Sequence, residues 1–334
     1  MTTPAETTLD MRGLRLHLPG AARPVLAGID LTVAERETVA LVGESGSGKS
    51  LTSRSVLRLL PPGATTEGVI AVQGEDVLAM NAKRLRHLRT HTAAMIFQDP
   101  RAAINPLRRV GDFLTESLRL NADLSDDTAA ERAARMLDAV GLGERVLGQY
   151  PGQLSGGMLQ RVMIASALMG DPALILADEP TTALDVTTQA EVVGLLDDLR
   201  ERFGTGLLFV THDLGLAAAI SDRVYVMYAG RIAETGPAQA MFERPRHPYT
   251  AALLRSTPRL ATPQGRLAAI KGQPPSLREE LTGCPFAARC AFTTPVCTEE
   301  LPPHVPVRSE PTRLVACHHS DELADQLAES ALHD

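Results

Sequence analysis

The eight residues Gly43-Glu44-Ser45-Gly46-Ser47-Gly48-Lys49-Ser50 read G-x-x-x-x-G-K-S and follow the apolar run Thr38-Val39-Ala40-Leu41-Val42. A buried strand, a glycine-rich loop and a helix opening at Lys49 form the setting a phosphate-binding loop needs. Small residues let backbone N–H groups turn inward and cradle phosphate oxygens. The helix N-terminus adds unpaired donors and its positive dipole end. In such a loop Lys49 reaches the β- and γ-phosphates, and the Ser50 hydroxyl ligates Mg²⁺. A chance glycine-rich turn does not account for a full match in this context. The loop alone says "nucleotide", and the work done with it must be read from the rest of the chain.

The length of 334 residues suits about two domains. With 44% hydrophobic and 22% charged residues, the composition is that of an ordinary globular protein. The net charge of −7 argues against nucleic acid as a partner, because phosphate backbones select a basic footprint. Tryptophan is absent and aromatics make up 3%, so material for stacking bases is scarce. No stretch reaches the ~18 consecutive apolar residues of a membrane-spanning helix. Met1-Thr2-Thr3-Pro4-Ala5-Glu6 lacks the basic and apolar parts of a signal peptide. The expectation is a cytoplasmic protein, docked on a membrane only through protein partners. All four cysteines fall after residue 280, a clustering that in a reducing compartment suggests a metal site over disulfides.

Residues 9–42 alternate apolar and polar, as in Leu14-Arg15-Leu16-His17-Leu18, and predict antiparallel strands leading into the loop strand. Leu51 to Leu60 can continue the helix after the loop, with Pro61-Pro62-Gly63 as its stop. Val69–Val72 and Ala93–Phe97 are short strand-type runs. From Val110 to Met169 the pattern turns helical, with Ser125 as a cap, Gly141 as a stop and a second helix starting at Ser155-Gly156-Gly157. Strand signals return at Ala173–Ala177 and Gly206–Val210; between them Val192, Leu195, Leu196, Leu199 and Phe203 keep helical spacing. The fold expected is therefore an α/β core interrupted by a helical insertion. Past His247 the chain becomes proline-rich (Pro248, Pro258, Pro263, Pro274, Pro275) and then cysteine-bearing, which reads as a linker and a small C-terminal module.

Leu176-Ala177-Asp178-Glu179-Pro180 places two acids at a strand end. Neighbouring strand residues point opposite ways, so the two carboxylates can divide the work. One holds Mg²⁺ through its water shell, and the other orients or deprotonates the attacking water. Leu154-Ser155-Gly156-Gly157-Met158-Leu159-Gln160-Arg161 puts a serine and two glycines at a helix start, a second anion-binding end. A generic cap explains Ser155 but not both glycines, which are poor helix formers.

With these residues the chain resembles an ATP-binding cassette (ABC) ATPase, whose signature reads Leu-Ser-Gly-Gly-Gln; Met158 stands in place of the final Gln. Gln98 sits where the family's Q-loop glutamine contacts Mg²⁺ and the membrane partner. Ala183-Leu184-Asp185 resembles the D-loop, and His212 in Val210-Thr211-His212-Asp213 resembles the switch histidine. The fold implied is a P-loop NTPase of the ABC type over residues 1–250, with an antiparallel β subdomain and a helical subdomain at about 100–168. The remainder, 251–334, is then the linker and cysteine-bearing module. The resemblance implies ATP and Mg²⁺ as ligands, with Ser50, Gln98 and Asp178 around the ion. It also implies a head-to-tail pair of cassettes, in which Ser155-Gly156-Gly157 of one caps the γ-phosphate held by the other, near Asp185. Glu179 is the implied general base and His212 the implied transition-state partner, with Lys49 on the phosphates. The family usually stacks adenine on an aromatic residue before the loop, yet none lies around His17-Leu18, and that contact stays unassigned.

Three stretches narrow the resemblance to oligopeptide/dipeptide importer ATPases: Phe97–Pro100 with Ile104-Asn105-Pro106, Arg246–Leu254, and Gly283–Cys290. They imply two membrane permease subunits, a second ATPase subunit (the same chain or a related one), an external substrate-binding protein, and a place on the cytoplasmic face of the cell membrane. Nickel, glutathione or another small solute is the alternative cargo. Cys284, Cys290, Cys297 and Cys317 have five, six and nineteen residues between them, so spacing alone is a weak metal signal. The resemblance favours a [4Fe–4S] cluster, with Zn²⁺ second and free thiols third. The competing class is a soluble cassette ATPase of DNA repair or translation. Such proteins usually carry two cassettes, basic surfaces or long inserts, whereas this chain has one cassette and an acidic balance. A non-hydrolysing regulatory subunit is disfavoured by intact Lys49, Asp178 and Glu179.

Overall fold

In the computed structural model the described residues are 6–121, 125–182, 184–256, 269–308 and 310–332. The strands are β1 (Thr7–His17), β2 (Leu26–Ala34), β3 (Thr38–Val42), β4 (Thr65–Val72), β5 (Glu75–Asp76) and β6 (Ala93–Ile96). They continue as β7 (Leu174–Asp178), β8 (Gly206–Thr211), β9 (Arg223–Tyr228), β10 (Arg231–Pro237), β11 (Val305–Val307) and β12 (Glu310–Val315). One sheet is antiparallel, in the order β2-β1-β4-β5. Its β1 buries Leu9 and Met11, then Leu14 and Leu16, and the slip in spacing coincides with a register shift between Met11 and Leu14. A bulge there keeps both pairs on the core face.

The second sheet runs β11-β12-β10-β9-β3-β8-β7-β6. From β9 through β6 its strands pair in parallel, while β10, β11 and β12 are antiparallel. Every residue of β3, β7 and β8 is buried, and apart from Thr38, Asp178 and Thr211 at their ends none is polar, as strands covered on both faces require. That is why these segments read as unbroken apolar runs.

The helices are α1 (Lys49–Val56), α2 (Ala82–His87), α3 (Pro100–Ala103), α4 (Val110–Asn121), α5 (Asp126–Ala139) and α6 (Gly156–Leu168). After β7 come α7 (Val186–Phe203), α8 (Leu214–Ile220), α9 (Ala238–Glu243), α10 (Pro248–Ser256), α11 (Pro295–Glu299) and α12 (Ala324–Leu332). Helices α3 to α6 make the insertion between β6 and β7, and α4, α5 and α6 share a core with α7 through Leu114, Leu137, Leu159 and Leu196. Ser125 caps α5 by accepting from Thr128 N, and Gly204 ends α7 in the left-handed conformation. Helix α1 stops at Val56, short of the expected Leu60. Arg58 takes a left-handed φ of 50° there, and the Leu57 carbonyl accepts from the Arg89 guanidinium.

Beyond His247 the described chain packs on the cassette. Tyr249 is fully buried in α10 and shares a core with Phe286, Tyr228 and Met241. Strand β12 pairs with β10, Glu234 facing Val315, and extends the main sheet. Pro258 and Pro263 of the expected linker, and Ala183 of the expected D-loop, lie outside the described residues.

Candidate nucleotide site

Strands β3, β6, β7 and β8 run in parallel, so their C-terminal ends line up along one edge of the sheet. Such an edge is the usual ligand position in an open α/β sheet. The phosphate loop leaves β3, Gln98 lies two residues past β6, Asp178 ends β7, and His212 follows β8. Parallel pairing therefore gathers motifs scattered over 170 positions of sequence.

The loop geometry depends on glycine at two positions. Gly43 has φ 154°, and a Cβ there would lie 2.1 Å from the Met227 carbonyl oxygen. Gly48 has φ 110° and rests against the Leu26 and Met227 side chains. The loop is thus seated directly on β9. Lys49 is almost fully buried at 4% exposure, and its Nζ donates to the Gly43 and Glu44 carbonyls at 2.9 and 3.0 Å. Burial pulls its pKa below the ordinary lysine value, while Glu179, Asp178 and Glu44 act the other way.

Ser50 Oγ donates to Asp178 Oδ1 at 2.7 Å, and Arg54 Nη2 holds the other oxygen at 3.3 Å. Asp178 has no exposure at all, so its charge relies on these partners. Glu179 has φ 48°, a left-handed conformation that is costly for a non-glycine residue. This turn swings its carboxylate toward the edge, where Oε2 accepts from Gln98 Nε2 and Thr182 Oγ1, each at 3.0 Å. His212 Nδ1 lies 3.3 Å from the same oxygen, and Lys49 Nζ lies 4.0 Å from Oε1. Lys49, Ser50, Gln98, Asp178, Glu179 and His212 therefore form one polar cluster.

Two predicted residue groups stand apart from it. Ser155 caps α6 by accepting from Met158 N at 3.2 Å, and it is exposed together with Gly156. Gly157 lies against Thr188, whose N–H and hydroxyl both donate to Asp185 at the start of α7. Those bonds hold the Asp185 carboxyl below its usual pKa. Among the described residues, no hydrogen bond or ion pair joins Ser155, Gly156, Gly157 or Asp185 to the loop. Met158 packs against the helical core instead of reaching the polar cluster.

The cysteines make the second group. All four are free thiols, and with His318 and His319 they line one cavity of about 20 Å³. Burial raises the pKa of Cys284 and Cys290 and pushes Cys317 up to about 12. Four thiols on one apolar cavity are a donor set that fits a thiolate-held metal centre. Among the described residues, however, no group of three side chains stands close enough together to hold an ion as placed.

The sequence did not point to Arg54, Thr182 or Arg289. Arg54 has the signal of lying one helical turn after Ser50, on the same face. Arg289 falls in the stretch Gly283–Cys290 that carries the resemblance, but nothing there pointed to the loop: its guanidinium grips the Glu44 carboxylate from 245 positions away.

Residues 26–182 match the family described as ABC transporter, and residues 233–297 match the oligopeptide/dipeptide transporter C-terminal region. The chain is 44% identical to a probable peptide ABC transporter ATP-binding protein, y4tR, of Sinorhizobium fredii, over 96% of this chain and 97% of that one. It is 43% identical to the dipeptide transport ATP-binding protein DppD of Bacillus subtilis, over 96% and 97%. Among solved structures, it resembles a dimeric post-hydrolysis state of the ATP-binding cassette MJ0796 bound to ADP and Pi, with TM-score 0.61 and 29% identity over 69% of this chain and 98% of that one. With its loop, its paired acids and its motif order at one sheet edge, the chain belongs to the ATP-binding subunits of oligopeptide/dipeptide ABC transporters and is an ATPase of the ABC type.

Proposed function

We propose that this protein powers import of di- or oligopeptides by hydrolysing ATP in a site shared between two cassettes. The observation that carries the reading is the separation described above. One half-site, from Lys49 to His212, is assembled within the chain, while Ser155-Gly156 is exposed and unconnected to it. In a head-to-tail pair, the Ser155 helix start of one subunit donates backbone N–H groups to the γ-phosphate held by the other.

Each residue then has a task. Gly43–Ser50 cradle the phosphates, and Lys49 follows the charge on the β- and γ-oxygens. Mg²⁺, when bound beside Ser50, Asp178 and Gln98, neutralises phosphate charge. Glu179 orients a water in line with the γ-phosphorus and takes its proton as the new P–O bond forms. The bond from the γ-phosphorus to the β,γ-bridging oxygen breaks, and ADP leaves with that electron pair. His212 stabilises the charge that builds on the transferring phosphoryl group. Such a site works mainly by positioning and electrostatics.

The partners follow from the same reading: two membrane permeases, a second ATPase subunit and an external substrate-binding protein. No helix among the described residues is long and apolar enough to cross a membrane, so attachment to the cytoplasmic face runs through the permeases. Cys284, Cys290, Cys297 and Cys317 would hold a [4Fe–4S] cluster, which would staple together the small proline-rich C-terminal module in which all four lie, with Zn²⁺ as the second assignment. Protein purified without oxygen should be brown, absorb near ~400 nm and release iron; colourless, zinc-bearing protein would overturn the cluster.

Uptake in a deletion strain tests the function. Labelled di- and oligopeptides should stop entering while nickel and glutathione uptake persists, and the tagged protein should co-purify with permease subunits. Loss of nickel or glutathione uptake alone would refute peptide as the cargo.

A further inference from the structure

The phosphate loop is held from outside the cassette core as well as from within it. Arg289 ends the short turn Ala287–Arg289, one residue before Cys290, and its side chain is 4% exposed. Its Nη1 and Nη2 donate to the two oxygens of Glu44 at 2.6 and 2.9 Å, a bidentate fork. The other bonds go to Tyr228 OH at 3.1 Å, the Lys271 carbonyl at 3.0 Å and the Ile270 carbonyl at 3.2 Å. The guanidinium also lies over the rings of Tyr228 and Phe286, at 5.7 and 5.9 Å from their centroids.

Glu44 is tied at three points. Its carboxylate meets Arg289, its N–H donates to Tyr249 OH at 2.9 Å, and its carbonyl accepts from Lys49 Nζ. One residue thus joins the C-terminal segment to the lysine of the phosphate loop. Fastening of the C-terminal segment does not depend on this contact. Strand β12 already pairs with β10, and the buried Arg313–Glu234 ion pair locks it there. The fork at Glu44 therefore has a use beyond anchorage: it fixes where the loop carbonyls, and with them Lys49, stand.

We propose that Arg289 is a positioning residue for the phosphate loop, acting through Glu44, so that nucleotide affinity depends on docking of the cysteine-bearing turn. The proposal rests on the reading of residues 43–50 as the nucleotide site.

The test uses the full-length protein, titrated with a fluorescent ADP analogue so that no hydrolysis is needed. Arg289→Gln and Glu44→Gln should each weaken binding by about tenfold, the scale of one charge-assisted bidentate contact. Arg289→Lys, which keeps the charge without the fork, should fall between them and the parent. The Arg289→Gln/Glu44→Gln double variant should be no weaker than either single one, because both remove the same contact. Hydrogen exchange should quicken at amides 43–50 while those of β7 and β8 keep their protection. Unchanged affinity in the single variants, additive losses in the double variant, or loss of protection throughout β7 and β8 would each overturn the proposal. If the parent protein fails to bind ADP, the nucleotide reading falls first and takes this one with it.

Discussion

The imidazole Nδ1 of His212 lies 3.3 Å from Oε2 of Glu179, the same oxygen that accepts from Gln98 and Thr182. Three groups from three separate segments thus aim one carboxylate, whose backbone already sits in a costly left-handed turn. This focus of positioning on a single acid is what a general base requires.

On the proposed role of Glu179 as general base, its replacement should separate binding from chemistry. Glu179→Gln keeps the shape and loses the proton acceptor, so turnover should drop by at least about a hundredfold, the lower end for general-base loss. ATP binding should persist, as measured by equilibrium titration alongside phosphate release. Normal phosphate release would remove Glu179 from the role.

The exposed Ser155 helix start predicts complementation between two dead variants. Lys49→Ala spoils the loop, and Ser155→Arg spoils the cap offered to a partner. Random mixing makes half the dimers mixed, each with one intact site of two, so activity should return to roughly a quarter of the parent level. Each variant alone should be inactive. No recovery on mixing would contradict a site shared between two copies of this chain, and rapid turnover by a proven monomer would contradict a shared site of any kind.

Stability should depend on His247. Its ring is buried, its Nδ1 accepts from Tyr249 N at 3.0 Å, and burial pulls its pKa from 6.5 to about 4. Between those values the unfolded chain binds the proton and the folded one does not. Stability is therefore full above pH 6.5 and falls as the pH drops toward 4, by roughly 3 kcal/mol from this group. Denaturant midpoints measured from pH 7 down to 4.5 should show the decline, and His247→Asn should flatten it. An identical slope in the variant would assign the decline to other groups.

The Arg313–Glu234 pair should matter through what is left when it is broken. Both side chains have 0% exposure, and Glu234 also accepts from the N–H groups of Arg246 and His247 at 3.0 Å each. Arg313→Met strands a buried carboxylate and should cost about 3–5 kcal/mol, while adding Glu234→Gln should recover part of it. Calorimetric melting of the single and double variants checks this; equal losses in both would show that packing, not the stranded charge, dominates.

Much of the site was legible because its chemistry is local. Gly43 to Ser50 must be contiguous to wrap a phosphate, and Asp178 and Glu179 must end a buried strand to reach it. The signature serine could be placed at a helix start for the same reason, and Ser155 does cap α6. The apolar runs at Thr38–Val42, Ala173–Ala177 and Gly206–Val210 could be read as strands of an α/β core, and the structure adds that they pair in parallel in the sheet interior, where both faces are covered.

What tertiary structure alone decided lies in contacts between segments far apart in sequence. Nothing in the residues near Arg289 announces that its fork closes on Glu44, or that Arg313 meets Glu234 in the dry interior. The four cysteines, irregularly spaced in the chain, line one cavity only because the turn 287–289, helix α11 and the end of β12 pack together. Sequence by itself determined the nucleotide chemistry, since a phosphate cradle is built from neighbouring residues with particular backbone freedom. The fold decided what that cradle is fastened to, since long-range ion pairs depend on where strands cross and not on any local pattern.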